Sequence, residues 1–205
     1  MNTEKHGGYV FLDCEMGGLE KEIHSLLSVY LLFVDDDFQP IDDLYLYLKP
    51  NDGNYVVCAQ AMNVNKIDLV VHDTKAITYR EGGTKLYQFL KAISNDGKIK
   101  VVPVGHGIYG DIEWIIHNLI GLDTWNNFVS YRKIDTQAIS QFLKTCGKFP
   151  EDVSGSLKSI ADYFGIAHVE NELHTAKGDT LLTLEVFKAL RNSIMGEPTP
   201  AFYND

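Results

Sequence analysis

Residues 9–19 read Tyr-Val-Phe-Leu-Asp-Cys-Glu-Met-Gly-Gly-Leu, and the rest of the chain is organised around them. The apolar run from Tyr9 to Leu12 predicts a buried β-strand. Because side chains alternate along a strand, Asp13 and Glu15 point to the same face. Two buried carboxylates repel each other and are costly unless they are paired. The pattern therefore indicates a bound divalent cation, and oxygen ligands favour Mg²⁺ or Mn²⁺. A solvated strand end is the alternative interpretation.

The composition is that of an ordinary globular domain with an acidic balance. The 205 residues are 45% hydrophobic and 22% charged, with a formal net charge of -10. This charge argues against a general electrostatic attraction to nucleic acid, but metals can supply positive charge locally. The scattered cysteines Cys14, Cys58 and Cys146 suggest neither a zinc site nor a disulfide framework. We therefore expect a cytoplasmic protein, without a signal peptide or a membrane span.

The order of apolar segments predicts an α/β fold. Three strands in a meander are followed by alternating helices and strands, which indicates a mixed five-stranded sheet flanked by helices, with the first strand central. Strands are predicted at Tyr9–Glu15, Leu26–Val34, Leu44–Leu48, Lys98–Val104 and Tyr131–Asp135. Helices are predicted at Ala59–Ile67, Thr84–Ile93, Tyr109–Leu119, Thr136–Leu143, Ser156–Phe164 and Ala176–Arg191. Residues 72–83 are predicted to form a loop or an insertion.

Two further acids and one histidine are candidate site residues. Asp111 lies in the first turn of the helix after the fourth strand, where an acid can simply favour the helix dipole. Asp179 is more informative, because it shares one face of the last predicted helix with three apolar residues, Leu182, Val186 and Leu190. His174 comes five residues earlier and is a candidate general base. A surface histidine and a capping aspartate are the alternatives.

In this order, Asp13-x-Glu15, Asp111 and His174-x-x-x-x-Asp179 resemble the motifs of the DEDDh 3′-to-5′ exonucleases. This family includes proofreading exonuclease domains, RNase T and oligoribonucleases. The segment from Ser156 to Ile166 is similar to the one that precedes the last motif in proofreading subunits. The resemblance covers residues 8–192, leaves 193–205 as a C-terminal tail, and implies a ribonuclease H-like fold.

The resemblance also implies a mechanism, which is hydrolysis of the terminal phosphodiester with two Mg²⁺ or Mn²⁺ ions. Asp13 would bridge both ions, Glu15 and Asp179 would complete the first site, and Asp111 would support the second. His174 would be the general base. Met16, Gly18 and Leu19 lie where the family reads the 3′ nucleotide, although Met16 and Leu19 could equally be core residues. Tyr109 and Trp114 are candidates for stacking on bases or for the core.

The implied substrate is single-stranded RNA or DNA with a free 3′ end, and the implied products are nucleoside 5′-monophosphates. A homodimer or a larger polymerase or processing complex is possible. Lys98 and Lys100, or Arg132 and Lys133, could contact phosphates or form a solvated surface. The second motif departs from the family at Gly107 and Gly110, as does the first at Gly17, so the terminal nucleotide would be held differently. A catalytically silent binding module and a structural acidic protein are the other functional classes.

Overall fold

The computed structural model describes residues 7–169 and 173–196. Within these residues the strands form a single mixed sheet in the order β4-β3-β2-β1-β5-β6. The strands are β1 (Tyr9–Met16), β2 (Leu26–Val34), β3 (Pro40–Lys49), β4 (Ile77–Thr78), β5 (Val102–Gly105) and β6 (Ile134–Asp135). The helices are α1 (Ala59–Asn65), α2 (Leu69–Asp73), α3 (Tyr79–Ile93), α4 (Tyr109–Ile115), α5 (Gly121–Phe128), α6 (Thr136–Thr145), α7 (Leu157–Tyr163) and α8 (Ala176–Met195).

Strand β1 lies in the middle of the sheet, as the sequence predicts. It pairs antiparallel with β2 and parallel with β5. Its side chains alternate between two apolar clusters: Val10 and Leu12 face the cluster that contains residues of α3, α4 and α5, whereas Phe11 faces Phe187 of α8. Asp13 therefore projects towards the α8 side of the sheet, because it lies two residues after Phe11.

Helix α8 covers this second face and carries a further layer. Its residues Ala176, Leu184 and Phe187 contact the sheet. Leu182, Val186 and Leu190 pack instead with residues of α6 and α7. The stripe predicted from the sequence is buried, and the contacts of Ala176, Leu184 and Phe187 with the sheet place the first turn of α8 next to the carboxyl end of β1. Among the described helices, including the 20-residue α8, none combines the length and apolar character needed to cross a membrane.

The prediction of five strands is wrong by one, because β4 lies in the segment predicted as a loop. Ile77 and Thr78 pair with Leu48 and Lys49 at the edge of the sheet. Helix α3 then begins at Tyr79 rather than near Thr84. Thr78 caps it, and the Glu81 side chain accepts a hydrogen bond from the Thr78 backbone N–H, which completes a capping box.

Two adjacent glycines hide the start of α3 in the sequence. A Cβ atom on Gly82 would lie 2.4 Å from the Leu48 side chain, and one on Gly83 would lie 2.4 Å from the Leu119 carbonyl oxygen. The glycines therefore allow α3 to approach β3 and the neighbouring helix closely, and they do not mark a loop.

Other boundaries also differ from the predictions. The predicted helix over 109–119 ends at Ile115 and continues as a π-helical segment, Ile116–Ile120. The short helix predicted at 59–67 is present as α1, whereas α2 was not predicted. Helix α8 extends to Met195, beyond the predicted start of the tail at residue 193. Residues 197–205 lie outside the described part of the chain.

Candidate active site

Three carboxylates converge at the carboxyl end of β1. Asp13 and Glu15 come from β1, and Asp179 comes from the first turn of α8. One carboxylate oxygen from each lies within 4.8 Å of the others. Each side chain is partly buried. Three hard oxygen donors at this spacing match the coordination that a divalent cation such as Mg²⁺ or Mn²⁺ prefers.

The fourth predicted acid, Asp111, lies beside this group rather than within it. It is only 7% exposed, and it follows β5, the strand that pairs with β1. Its Oδ1 atom accepts a hydrogen bond from the backbone N–H of Cys14 at 3.1 Å. Asp111 is therefore fixed against the strand segment that carries Asp13 and Glu15.

Burial disfavours the charged forms of all four acids, and repulsion from neighbouring acids adds to this effect for Asp13 and Glu15. The pKa of Asp13 is raised well above its usual value by burial and by the charges of Asp111, Glu15 and Asp179. Burial, followed by the charges of Asp179 and Asp111, raises the pKa of Glu15 to about 9. Burial also raises the pKa of Asp111 to about 7, against the hydrogen bond from Cys14.

The pKa of Asp179 is raised by burial as well, although the His174 backbone hydrogen bond opposes the shift. A cluster of this kind is destabilising when its members are ionised without a cation. The donor set therefore fits the divalent ions that the sequence implies.

His174 is held next to Asp179 by the start of α8. Its backbone has a φ of 61°, in the left-handed region, and its N–H donates a hydrogen bond to Asp179 Oδ1 at 3.2 Å. Thr175 caps the helix by accepting a hydrogen bond from the Gly178 N–H. The His174 side chain is exposed and shares a cavity wall with Glu15. The imidazole is therefore open to solvent beside the carboxylates.

This cavity has a volume of about 500 Å³, and its other walls were not predicted from the sequence. They come from β3 and from the segment over residues 55–83, through Tyr45, Tyr47, Asn65, Lys66, His72 and Lys75. Lys75 Nζ lies 5.4 Å from the centre of the Tyr47 ring. The alternation of side chains along β3 could have indicated this wall from the sequence, since it places Tyr45 and Tyr47 on one face of the sheet.

The glycines after Glu15 allow close approach of neighbouring residues. A Cβ atom on Gly17 would lie 2.6 Å from the Val57 side chain, and one on Gly18 would lie 2.2 Å from the His24 ring. The Met16 carbonyl accepts a hydrogen bond from the Asn65 side chain at 3.1 Å. This loop is consequently fixed against α1.

The predicted substrate-binding residues differ in their exposure. Leu19 is 91% exposed, whereas Met16 is partly buried and packs against the core. Gly18 is buried. Tyr109 is 62% exposed and lines a separate cavity, and the alternative stacking candidate Trp114 is buried in the core.

His106, from the second motif, has a structural position. Its ring nitrogens lie 2.9 Å from the Thr136 hydroxyl and 3.0 Å from the Gly155 carbonyl. Burial lowers its pKa, and the hydrogen bond to Gly155 opposes this effect. His106 thus joins the end of β5 to α6 and to the loop before α7.

Solved structures of exonuclease I have a similar fold. One exonuclease I structure aligns with a TM-score of 0.68 and 16% identity over 90% of this chain and 40% of that chain. The complex of E. coli exonuclease I with a dT13 oligonucleotide aligns with a TM-score of 0.67 and 15% identity over 92% of this chain and 42% of that chain. An ExoI/SSB-Ct complex aligns with a TM-score of 0.69 and 15% identity over 92% of this chain and 42% of that chain. This likeness confirms the ribonuclease H-like fold, and the chain spans about two fifths of the length of these neighbours.

No curated protein matches the chain at the level of sequence. By contrast, the model of the RNase T family, described as exonuclease, matches residues 10–187. The match spans the sequence from Asp13 to Asp179, and it confirms the resemblance to the exonuclease family. The chain therefore belongs to the RNase T exonuclease family.

Proposed function

We propose that this protein is a metal-dependent 3′-to-5′ exonuclease that hydrolyses single-stranded nucleic acid to nucleoside 5′-monophosphates. The observation that carries the proposal is the convergence of Asp13, Glu15 and Asp179, whose carboxylate oxygens lie within 4.8 Å of one another. Membership of the exonuclease family supports the reaction class. A neighbouring fold in complex with a dT13 oligonucleotide supports a single-stranded substrate.

The four acids would hold two Mg²⁺ or Mn²⁺ ions. Asp13, Glu15 and Asp179 would hold the first, and Asp13 with Asp111 would hold the second. Divalent cations bound there would stabilise the negative charge that develops on the phosphate in the transition state. Asp111 also accepts a hydrogen bond from the Cys14 N–H of β1, so it would keep the neighbouring Asp13 in place beside the other carboxylates.

His174 would act as the general base. It accepts a proton from the attacking water, whose oxygen forms the new bond to phosphorus. The bond from phosphorus to the 3′ oxygen of the shortened strand breaks, and that oxygen leaves as a 3′ hydroxyl after protonation. The terminal nucleotide is released with its 5′ phosphate.

The terminal nucleotide would lie against the loop after Glu15. Met16 and Gly18 would bring backbone groups close to the sugar, and the exposed Leu19 would contact the last bases. Tyr109 would contact the strand further from the scissile bond. A cytoplasmic location is part of the proposal and is supported by the three cysteines, which form no disulfide in the described chain. A homodimer or a larger complex stays a prediction.

Degradation of 5′-labelled linear strands tests the proposal. RNA and DNA of the same sequence are incubated with Mg²⁺, Mn²⁺ or chelator, and a circular single strand serves as the control for end dependence. We expect a ladder that shortens from the 3′ end, is lost with chelator, and is absent for the circle. Cleavage of the circle would indicate an endonuclease. Folded, metal-loaded protein that cleaves neither strand would favour a binding module.

A further inference from the structure

Two pairs of basic residues that are distant in the sequence lie side by side at one edge of the sheet. Lys98 and Lys100 precede β5, and Arg132 and Lys133 precede β6. Strands β5 and β6 run parallel. Towards the amino ends of these strands, a β-bridge between Val101 and Val129 continues the pairing. The Ser130 N–H donates a hydrogen bond to the Val101 carbonyl at 2.8 Å. The two basic segments are therefore adjacent in the fold.

Two cavities follow this edge and share a wall. Tyr109, Tyr131 and Lys133 contribute to the first, which has a volume of about 460 Å³. Lys98, Lys100, Tyr131 and Arg132 contribute to the second, of about 760 Å³. Ser130 and Tyr131 line both cavities, so the two cavities meet at these residues. We call the surface along both cavities the basic groove and define it by Tyr109, Lys133, Tyr131, Arg132, Lys98 and Lys100.

Exposed aromatic rings alternate with cations along the basic groove. Tyr131 is 77% exposed and Tyr109 is 62% exposed. Arg132 Cζ lies 5.3 Å from the centre of the Tyr131 ring, and Lys133 Nζ lies 4.7 Å from that of Tyr109. Proteins that bind single strands combine these two elements, because cations attract phosphates and open rings stack on bases.

The local charge of the groove is opposite to that of the whole chain. The protein has a net charge of -10, yet none of the four groove cations takes part in an ion pair with the described residues. The acid on the wall of the first cavity, Glu113, is paired with Lys21 at 3.4 Å. The groove therefore presents positive charge that no acid among the described residues pairs with, which suits a polyanion.

The groove lies at a distance from the catalytic acids. Its basic pairs precede β5 and β6, at the amino ends of these strands, whereas Asp13 and Glu15 lie at the carboxyl end of β1, which runs parallel to β5. An extended chain from Lys100 to Gly105 covers about 17 Å, which corresponds to roughly five nucleotides of a stacked strand. A strand whose 3′ end lies at the carboxylates would therefore reach the basic pairs about five nucleotides upstream.

We propose that the basic groove binds the part of a single-stranded nucleic acid that lies 5′ of the scissile phosphodiester. This inference rests on the proposed function, because the direction of the strand follows from a 3′ end held at Asp13 and Glu15. The cations contact phosphates, and Tyr131 stacks on a base. The groove thereby makes affinity depend on strand length beyond the terminal nucleotides.

Binding of fluorescent single strands in chelator tests the groove without hydrolysis. The double variants Lys98→Gln/Lys100→Gln and Arg132→Gln/Lys133→Gln are compared with a matched control, Lys85→Gln/Lys148→Gln, whose residues are exposed and line neither cavity. For a 15-nucleotide strand, each groove variant should lower the slope of log K against log salt by about 1.4, at about 0.7 per lost phosphate contact. Tyr131→Ala should weaken binding about tenfold.

The length dependence gives a second measurement. A trinucleotide should bind the wild type and the groove variants within about twofold, because it does not reach the basic pairs. Unchanged affinity and unchanged salt slope of both groove variants for the 15-nucleotide strand would overturn the inference. Loss of affinity for an acidic peptide, with no loss for the strand, would also overturn it and would assign the groove to a protein partner.

A separate assay distinguishes the failure of the proposed function. Wild-type protein is given a nitrophenyl ester of a nucleoside 5′-phosphate, which does not reach the groove. Turnover of the ester, together with unchanged strand binding in the groove variants, would leave the proposed function intact. It would overturn the inference that the groove binds the strand. No turnover of ester or strand, with strand binding lost in both groove variants, would overturn the proposed function and support the groove as a nucleic-acid site.

Discussion

The backbone N–H of His174 donates a hydrogen bond to Oδ1 of Asp179, 3.2 Å away. This contact orients the carboxylate towards Asp13 and Glu15 and places the imidazole on the neighbouring cavity wall. It depends on the left-handed backbone of His174, whose φ is 61°. A single turn before α8 therefore positions both the third carboxylate and the candidate base.

Removing a carboxylate from the trio should abolish activity without unfolding the protein. We expect Asp13→Ala and Asp179→Asn to lose at least 100-fold in hydrolysis, because each removes a cation ligand. In chelator, their midpoint of thermal unfolding should match or exceed that of the wild type, since repulsion between acids is relieved. Asp37→Asn, which changes an exposed acid in the β2–β3 turn, is the control. An active Asp179→Asn variant would refute the assignment.

Replacing His174 should slow hydrolysis while metal binding survives. The loss should be roughly 100-fold or more, because the water would lack its general base. Asn is the better replacement, since it tolerates the left-handed conformation that Ala disfavours. His174→Asn should therefore keep the backbone hydrogen bond to Asp179. Calorimetric titration with Mn²⁺ measures the binding, and its loss in this variant would identify the histidine as a ligand.

Protonation of His106 should destabilise the protein in mild acid, although protonation of the buried acids Glu15 and Asp111 acts in the opposite direction. The pKa of His106 in the folded state lies below the ordinary value of 6.5, so the unfolded chain binds the proton more readily. The loss of stability that protonation of His106 causes therefore begins as the pH falls through about 6.5 and is absent above that pH. Between pH 7.5 and 5.5, urea unfolding should show the stability of His106→Gln changing in the favourable direction relative to that of the wild type, because the variant lacks the imidazole. An equal change in both proteins would contradict this role.

Adding a methyl group to Gly18 should destabilise the loop after Glu15. The new Cβ would lie 2.2 Å from the His24 ring, and relieving this overlap should cost about 1–3 kcal/mol in the free energy of unfolding. The same substitution in a His24→Ala background should cost less. Gly110→Ala is the control, since nothing lies within 4 Å of its added Cβ. Equal costs in both backgrounds would show that His24 does not limit the space.

The parts of the site that follow local periodicity were predictable from the sequence. Strand alternation places Asp13 and Glu15 on one face, and the apolar stripe of α8 assigns Asp179 to the buried side. The contact between Asp111 and the Cys14 backbone was not predictable, since 97 residues separate the two in the chain. The start of α3 was missed for a different reason. Gly82 and Gly83 disfavour a helix locally, but close packing against Leu48 and Leu119 requires them.

The basic groove shows the same limit of local patterns. The sequence offered Lys98 with Lys100 and Arg132 with Lys133 as two unrelated pairs. The parallel pairing of β5 with β6 makes them one surface, and a single sequence does not reveal that pairing.

Equilibrium binding of Mn²⁺, followed by electron paramagnetic resonance, tests the central claim most directly, namely that Asp13, Glu15 and Asp179 together hold a divalent cation. The wild type should bind Mn²⁺ saturably, and Mg²⁺ should compete for the site. Glu15→Gln should bind at least tenfold more weakly, because it removes one charged ligand from the cluster. Affinity in Glu15→Gln equal to that of the wild type would contradict the account.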